Sequence, residues 1–291
     1  MILLLLLSLI LIVVFVVTAI AFVVLYERHL LGGSQQRLGP NKSSLMGIMQ
    51  ALFDGIKLLK KEQESSWKSS EISFLLVPGI AFGVMYLEWC VLPYFFDFFT
   101  FEFAVLFFLC LVGFSVYTVL VSGVVSKSKY SMLGAIRASG QSVSYEIAFS
   151  LYLLILVMYF NMFCFYRYFY LGLFWIYLPF LMMILAELGR APFDFAEGES
   201  ELVSGYNVEF GSVAFVLLFL SEYGSLLLFS VLGSMVFFGG SLLFGYVIFS
   251  SLVFIRSAYP RFRYDFMMSL FWFKMLPVSL ILFFYIVVLF L

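Results

Sequence analysis

The 291 residues are 64% hydrophobic and 11% charged, with 39 phenylalanines and a formal net charge of −1, and their mean hydropathy is +1.12. That is more apolar side chain than a soluble core of this length could bury, and several apolar runs reach the roughly 20 residues that cross a bilayer. A soluble domain is excluded and an all-α polytopic membrane protein is expected; the near-zero net charge says little about partners, and no nucleic acid is expected among them.

Residues 1–26 are almost wholly apolar and lack the charged start and small-residue cleavage site of a signal peptide, so they predict a retained transmembrane helix. With no Arg/Ser-rich transit segment before it, the chain is expected to be inserted where it is made, in a bacterium or an organelle with its own genome. Residues 27–71 form the first long polar connection, with Arg28, Arg37, Lys42, Lys57, Lys60, Lys61 and Lys68 among its bases. Within it Leu45, Met46, Ile48, Met49, Leu52, Phe53, Ile56 and Leu59 recur at helical spacing between charges, which predicts an amphipathic helix on the membrane surface or against a partner. Gly39-Pro40-Asn41 reads as a turn before it.

Further spans are expected at 73–93, 101–125, 143–164, 171–189, 210–232, 235–256 and 267–290. With the first they make about eight crossings in a single transmembrane domain, 1–291. Taking connections on alternate sides, nearly all bases fall on the odd-numbered ones; Arg167 is on an even one, and Lys274 starts the last helix. By the positive-inside rule the odd loops face the cytoplasm or its mitochondrial equivalent, with both termini opposite. Cys90, Cys110 and Cys164 have the spacing of neither a metal site nor a disulfide framework, so buried inert thiols and no metal are expected. His29 is the single histidine, one short of the axial pair a b-type haem takes.

Charge inside spans narrows the function. Glu146 lies about one turn into the fourth span, Glu187 near the end of the fifth and Glu222 in the middle of the sixth. An ionised acid at bilayer centre costs on the order of 3 kcal/mol by insertion scales, and protonating a Glu at neutral pH costs a similar amount, so the two forms are nearly balanced, as a proton carrier requires. A paired core acid is the alternative for each. Between Glu187 and Glu209 the chain carries six acids (Glu187, Asp194, Glu197, Glu199, Glu201, Glu209) and one base, Arg190. Two carboxylates about 6 Å apart repel by roughly 3 kcal/mol at an effective dielectric near 20. The segment therefore suits proton uptake and hand-over, or else a solvated acidic loop; charge counting does not separate the two. The 3, 4, 3, 4 spacing of Glu187, Arg190, Asp194, Glu197 and Glu201 would line one helix face, and Pro192 is expected to interrupt it by starting a short new helix that Gly198 weakens or ends. After the seventh span, Arg256, Arg261 and Arg263 with Asp265 supply counter-charges for the acids, or form an ordinary positive-inside cluster.

The strings YERHLLG (Tyr26 to Gly32), RLGPN (Arg37 to Asn41), DGIKLLKKE (Asp54 to Glu62), GAIRASGQSVSYE (Gly134 to Glu146), AELGRAPFDFAEGESELVSGYNVE (Ala186 to Glu209), SEYGS (Ser221 to Ser225) and AYPRFRYD (Ala258 to Asp265) closely resemble the chain 1 family of NADH:ubiquinone oxidoreductase, over nearly the whole chain. The phenylalanine-rich composition and short connections look like a nematode mitochondrial version; Gly189 stands where Asn or a similar polar residue is usual. The resemblance implies a core subunit of the membrane arm of respiratory complex I, in the mitochondrial inner membrane, forming the mouth and much of the wall of a quinone chamber. It implies that this chain binds no cofactor of its own, that ubiquinone or a related quinone is the substrate, and that FMN and iron-sulfur clusters belong to partner subunits. The implied partners are the peripheral-arm quinone-site subunits, other membrane-arm subunits and lipid. Residue by residue, Arg28, Arg37, Arg256 and Arg261 match positions near the chamber. Glu146, Glu187, Asp194, Glu197, Glu199, Glu201 and Glu222 match the acidic path into the arm, with Arg190, Arg263 and Asp265 as charge partners. The rival readings are a stand-alone cation/proton antiporter, against which stands the absence of an inverted repeat, and the membrane subunit of a related hydrogenase, against which stands the closeness of the motifs.

Overall fold

A computed structural model describes residues 2–64, 69–94, 101–165, 171–195 and 205–290. Among them the chain is helical, without strands. In order come α1 (Ile2–Ser34), α2 (Ile48–Lys60), α3 (Glu71–Val91), α4 (Ala104–Ser126), α5 (Lys129–Phe160), α6 (Phe174–Glu187), α7 (Ser212–Phe238), α8 (Leu242–Ala258) and α9 (Tyr264–Leu270), which passes through a π turn (Phe271–Met275) into α10 (Leu276–Phe290). Among the described residues six runs are long and apolar enough to cross a membrane: α1, α3, α4, α5, α7 and the continuous α9–α10. The apolar helices α6, of 14 residues, and α8, of 17, reach only about 21 and 26 Å at 1.5 Å per residue, short of a hydrocarbon core of roughly 30 Å.

Three boundaries differ from the sequence expectation. Helix α1 runs on to Ser34, carrying Glu27, Arg28 and His29 on its last turns instead of in a loop. Helix α5 begins at Lys129, well before residue 143, because Ser128 caps it, its hydroxyl accepting the Ser131 amide at 3.3 Å. Lys129 and Arg137 therefore ride on a helix, and Glu146 sits in its middle. Helix α7 continues through Gly233 and Ser234, since Leu232, Met235, Val236 and Phe237 stay buried; the break comes at Gly239 and Gly240, with φ of 64° and 74°, a left-handed turn that glycine adopts without a Cβ penalty.

Aromatic packing holds the middle of the bundle. Phe149 of α5 stacks on Phe180 of α6 with centroids 5.7 Å apart and meets Phe229 of α7 edge-on at 6.0 Å, and Phe108 of α4 meets the same Phe229. Helices α4 and α5 approach so closely that a Cβ on Gly123 would lie 2.2 Å from Cβ of Ala135, the small-residue contact by which membrane helices gain dispersion energy. Helix α2 packs against α1 and α7, yet Ile48, Met49, Leu52, Phe53, Ile56 and Leu59 remain exposed, so the described residues leave the apolar face of this amphipathic helix uncovered. Of the three thiols expected to be buried, Cys90 is, Cys164 is half-buried and Cys110 is exposed on α4: a helix flanked by lipid or partners needs no inward face for each apolar side chain.

Candidate functional site

The polar connections converge. Arg256, on the last turn of α8, donates to Glu27 of α1 at 2.5 Å, and the Ser212 hydroxyl that begins α7 donates to the carbonyl of Lys61 at 2.6 Å. Arg261 donates to Asp194 at 2.9 Å, while the Phe262 amide donates to the carbonyl of Pro192 at 3.0 Å. Side-chain and backbone bonds thus tie the stretch after α6 to the stretch before α9. Phe193 lies between the rings of Phe262 and Phe271, and Gln141 of α5, 3% exposed, donates to the carbonyls of Ala186 and Phe193, both at 3.0 Å. One side-chain amide thus adds a second donor to two carbonyls that already accept backbone amides, from Gly189 at 3.2 Å and Phe195 at 3.0 Å, and so ties α5 to both ends of the turn after α6.

Behind this junction lies a cavity of about 160 Å³, room for about five waters at roughly 30 Å³ each. Glu88 of α3, Gln141 and Tyr145 of α5, Glu187 at the end of α6, Arg190, Tyr206 and Glu222 of α7 line it together with serines of α4, α5 and α7. Tyr206, on the short 3-10 turn Gly205–Asn207, donates its hydroxyl to Glu222, and the Asn207 side-chain amide donates to the same oxygen at 3.4 Å. Tyr145 bonds to Glu187, whose Oε2 is buried without a partner among the described residues. Arg190 is 9% exposed, with its guanidinium carbon 4.5 Å from the centre of the Tyr223 ring, a cation–π contact in a desolvated place. Among the described residues, three carboxylic acids and one guanidinium thus share one polar space within an apolar bundle.

Not every residue singled out from sequence reaches it. Glu146 turns toward α4, where a Cβ on Gly113 would lie 2.6 Å from its Oε1. Asp194 pairs with Arg261 and is not on one face with Glu187. Helix α6 ends at Glu187, Gly189 has φ of 55°, and residues 188–195 form turns and bends in which the Phe193 amide bonds to the carbonyl of Arg190, so no helix begins at Pro192 within the described residues; the rest of the expected short helix, toward Gly198, lies outside them. Glu197, Glu199 and Glu201 lie outside the described residues. Arg28 bonds Asp54 of α2 at 2.7 Å, Arg37 donates to Gln35 at 2.8 Å, and Arg263 and Asp265 are exposed at the start of α9. Arg256 turns to Glu27, not to the acids after α6, since α8 and α1 are neighbours.

Sequence reasoning missed Glu88, Gln141, Tyr206 and Glu27. A signal existed for Glu88, an acid alone in an apolar span, which by itself marks a functional candidate; the rest emerge only from tertiary contact.

The chain matches the family described as NADH dehydrogenase over residues 7–287. It is 42% identical to the NADH-ubiquinone oxidoreductase chain 1 of Aedes aegypti, covering 93% of this chain and 91% of that one. It is 40% identical to the chain of the same name from Locusta migratoria, at 93% and 91% coverage, and 40% identical to that of Mytilus edulis, at 91% of each.

Proposed function

The chain belongs to the family of NADH-ubiquinone oxidoreductase chain 1, and from that membership we propose that it is the membrane-arm subunit at which quinone chemistry is passed to protons, in the mitochondrial inner membrane. The chain crosses the bilayer eight times as a single domain, α6 and α8 being short crossings covered by neighbours, and α2 lies at the surface with its apolar face against lipid or a partner subunit. The converging connections, with Arg28, Arg37, Arg256 and Arg261, border the mouth of the quinone chamber. NADH, FMN and iron-sulfur clusters are handled by partner subunits, and this chain contributes groups that bind, orient and move protons.

The observation that carries the reading is the polar cavity behind the Asp194–Arg261 clasp. Irregular backbone at membrane depth is tolerated where it lines water or is covered by protein; here Leu188, Gly189 and Arg190 line the cavity, and Phe193 and Phe195 are buried under protein. Carboxylates in such a space, facing a single arginine, respond together to any change of charge at the chamber. Glu187 stands at the junction end, and Glu222, held by Tyr206 and Asn207, stands on α7. Glu197, Glu199 and Glu201 lie in sequence between Asp194 and Tyr206 and extend the acidic path, with Glu146 beside it on α5.

Photolabelling tests the chamber assignment. A photoreactive quinone analogue on the assembled complex should cross-link within residues 26–40 or 256–265, in competition with substrate quinone. Labelling confined to lipid-facing α10, undiminished by quinone, would contradict it.

A further inference from the structure

Glu88 is the acid in the cavity that no motif points to. It sits one turn from the end of α3, 4% exposed, and its side chain lines the cavity. Among the described residues it makes no ion pair, and another acid, Glu187, lines the cavity with it. Glu187 in turn keeps one buried oxygen without a partner. The groups facing them are Tyr145 from α5, which bonds to Glu187, the acid Glu146 next along α5, which acts on Glu187, Arg190 after α6, whose guanidinium lies over Tyr223, and Tyr206 and Glu222, which bond each other. None of these contacts brings a cation onto Glu88. Two carboxylates that share a buried polar space with no base on the first of them cannot both stay ionised without uncompensated charge, and a proton shared between them removes it.

We propose that Glu88 is a proton-carrying residue of this cavity, holding one proton jointly with Glu187 and releasing it to the cavity when the charge there changes. The step moves a proton alone: it leaves the Glu88 or Glu187 carboxyl oxygen for cavity water or the Glu222 carboxylate, and no bond between heavy atoms changes. The inference rests on the reading of the cavity as a proton path, and it adds a donor on α3, opposite the helix ends that carry the known motif strings.

The test is infrared difference spectroscopy of the fully assembled complex, reduced by NADH with quinone present against oxidised. Wild type should show a protonated-carboxyl C=O band that shifts in D2O. Glu88→Gln should abolish it, as should Glu187→Gln, and the double variant should lose nothing further, because one shared proton gives one band. If Glu88→Gln does not assemble, Glu88→Asp keeps the acid on a shorter stem and should displace the band. A wild-type band in Glu88→Gln, or an undisplaced band in Glu88→Asp, overturns the proposal. Proton translocation by Glu222→Gln separates the two levels: wild-type translocation with the Glu88 band lost would overturn the proton path while leaving Glu88 a proton-holding group, and impaired translocation with the band unchanged would overturn Glu88 alone.

Discussion

Removing either partner of the Asp194–Arg261 pair should loosen the junction between the stretch after α6 and the stretch before α9. The nitrogen–oxygen distance is 2.9 Å and the two side chains are 18% and 25% exposed, which places the pair between the exposed and buried limits. Coulomb attraction at that separation is about 6 kcal/mol at an effective dielectric of 20 and about 1.4 kcal/mol in water. Desolvation of both ions offsets much of the larger figure, and breaking a fully buried pair costs about 3–5 kcal/mol where an exposed pair is worth under about 1. We expect a coupling of about 2 kcal/mol. The assay is a double-mutant cycle with Asp194→Asn, Arg261→Gln and both, reading the thermal inactivation midpoint of NADH:quinone reductase activity in assembled complex. Each single variant should be destabilised and the double no worse than the worse single. Arg263→Gln, at an exposed site, should change stability by less than about 0.5 kcal/mol. Additive losses in the cycle, or an equal loss from Arg263→Gln, would refute the clasp.

Gln141→Leu removes two hydrogen bonds from carbonyls that keep their backbone amide donors, at about 0.5–1.5 kcal/mol each, and should lower the yield of assembled complex, whereas Gln141→Asn at the same level as wild type would speak against the tie. Gly123→Val forces branches into a space where even a Cβ would come within 2.2 Å of Ala135, so α4 and α5 must separate at a cost of at least about 1–3 kcal/mol; Gly123→Ala should be milder, and assembly yields that do not rank Gly, Ala, Val in that order would contradict the close approach. For topology, Ser44→Cys should react with an impermeant maleimide from the side opposite to Asn161→Cys and Gly240→Cys, in a chain whose own cysteines are replaced by serine; labelling of all three from one side would eliminate the eight-crossing arrangement.

How far the sequence could be read follows from the range of the forces involved. Helical class is a matter of apolar runs, and runs are local, so α3 and α4 lie within a few residues of where hydropathy puts them. Boundaries set by a single contact are not local in that sense: α5 starts at a serine cap, and α7 passes Gly233 because its last turns are buried by neighbouring helices. At Pro192 the spacing of charges along one helix face suggested that a short new helix starts there, but Gln141 and Phe262 donate to the carbonyls of Ala186, Pro192 and Phe193, and the chain turns through residue 195. Arg256 could be assigned a role from its neighbours in sequence, yet its partner Glu27 lies at the far end of the chain. Glu88 was legible in principle, since one acid in an apolar run is conspicuous; what could not be read was that α3 turns it toward Glu187.

The central claim is that carboxylates around the cavity link quinone reduction to proton movement, and Glu222 offers the sharpest test. Tyr206 and Asn207 both donate to its Oε1, so the Oε1 of Glu222→Gln can accept the same bonds and keep the packing while losing the titratable proton. In proteoliposomes of fully assembled enzyme, proton translocation and quinone-linked NADH oxidation are measured for wild type and Glu222→Gln across about three pH units around neutrality. The account predicts that translocation falls in the variant at every pH while the complex still assembles. Rates and pH dependence matching wild type would contradict it.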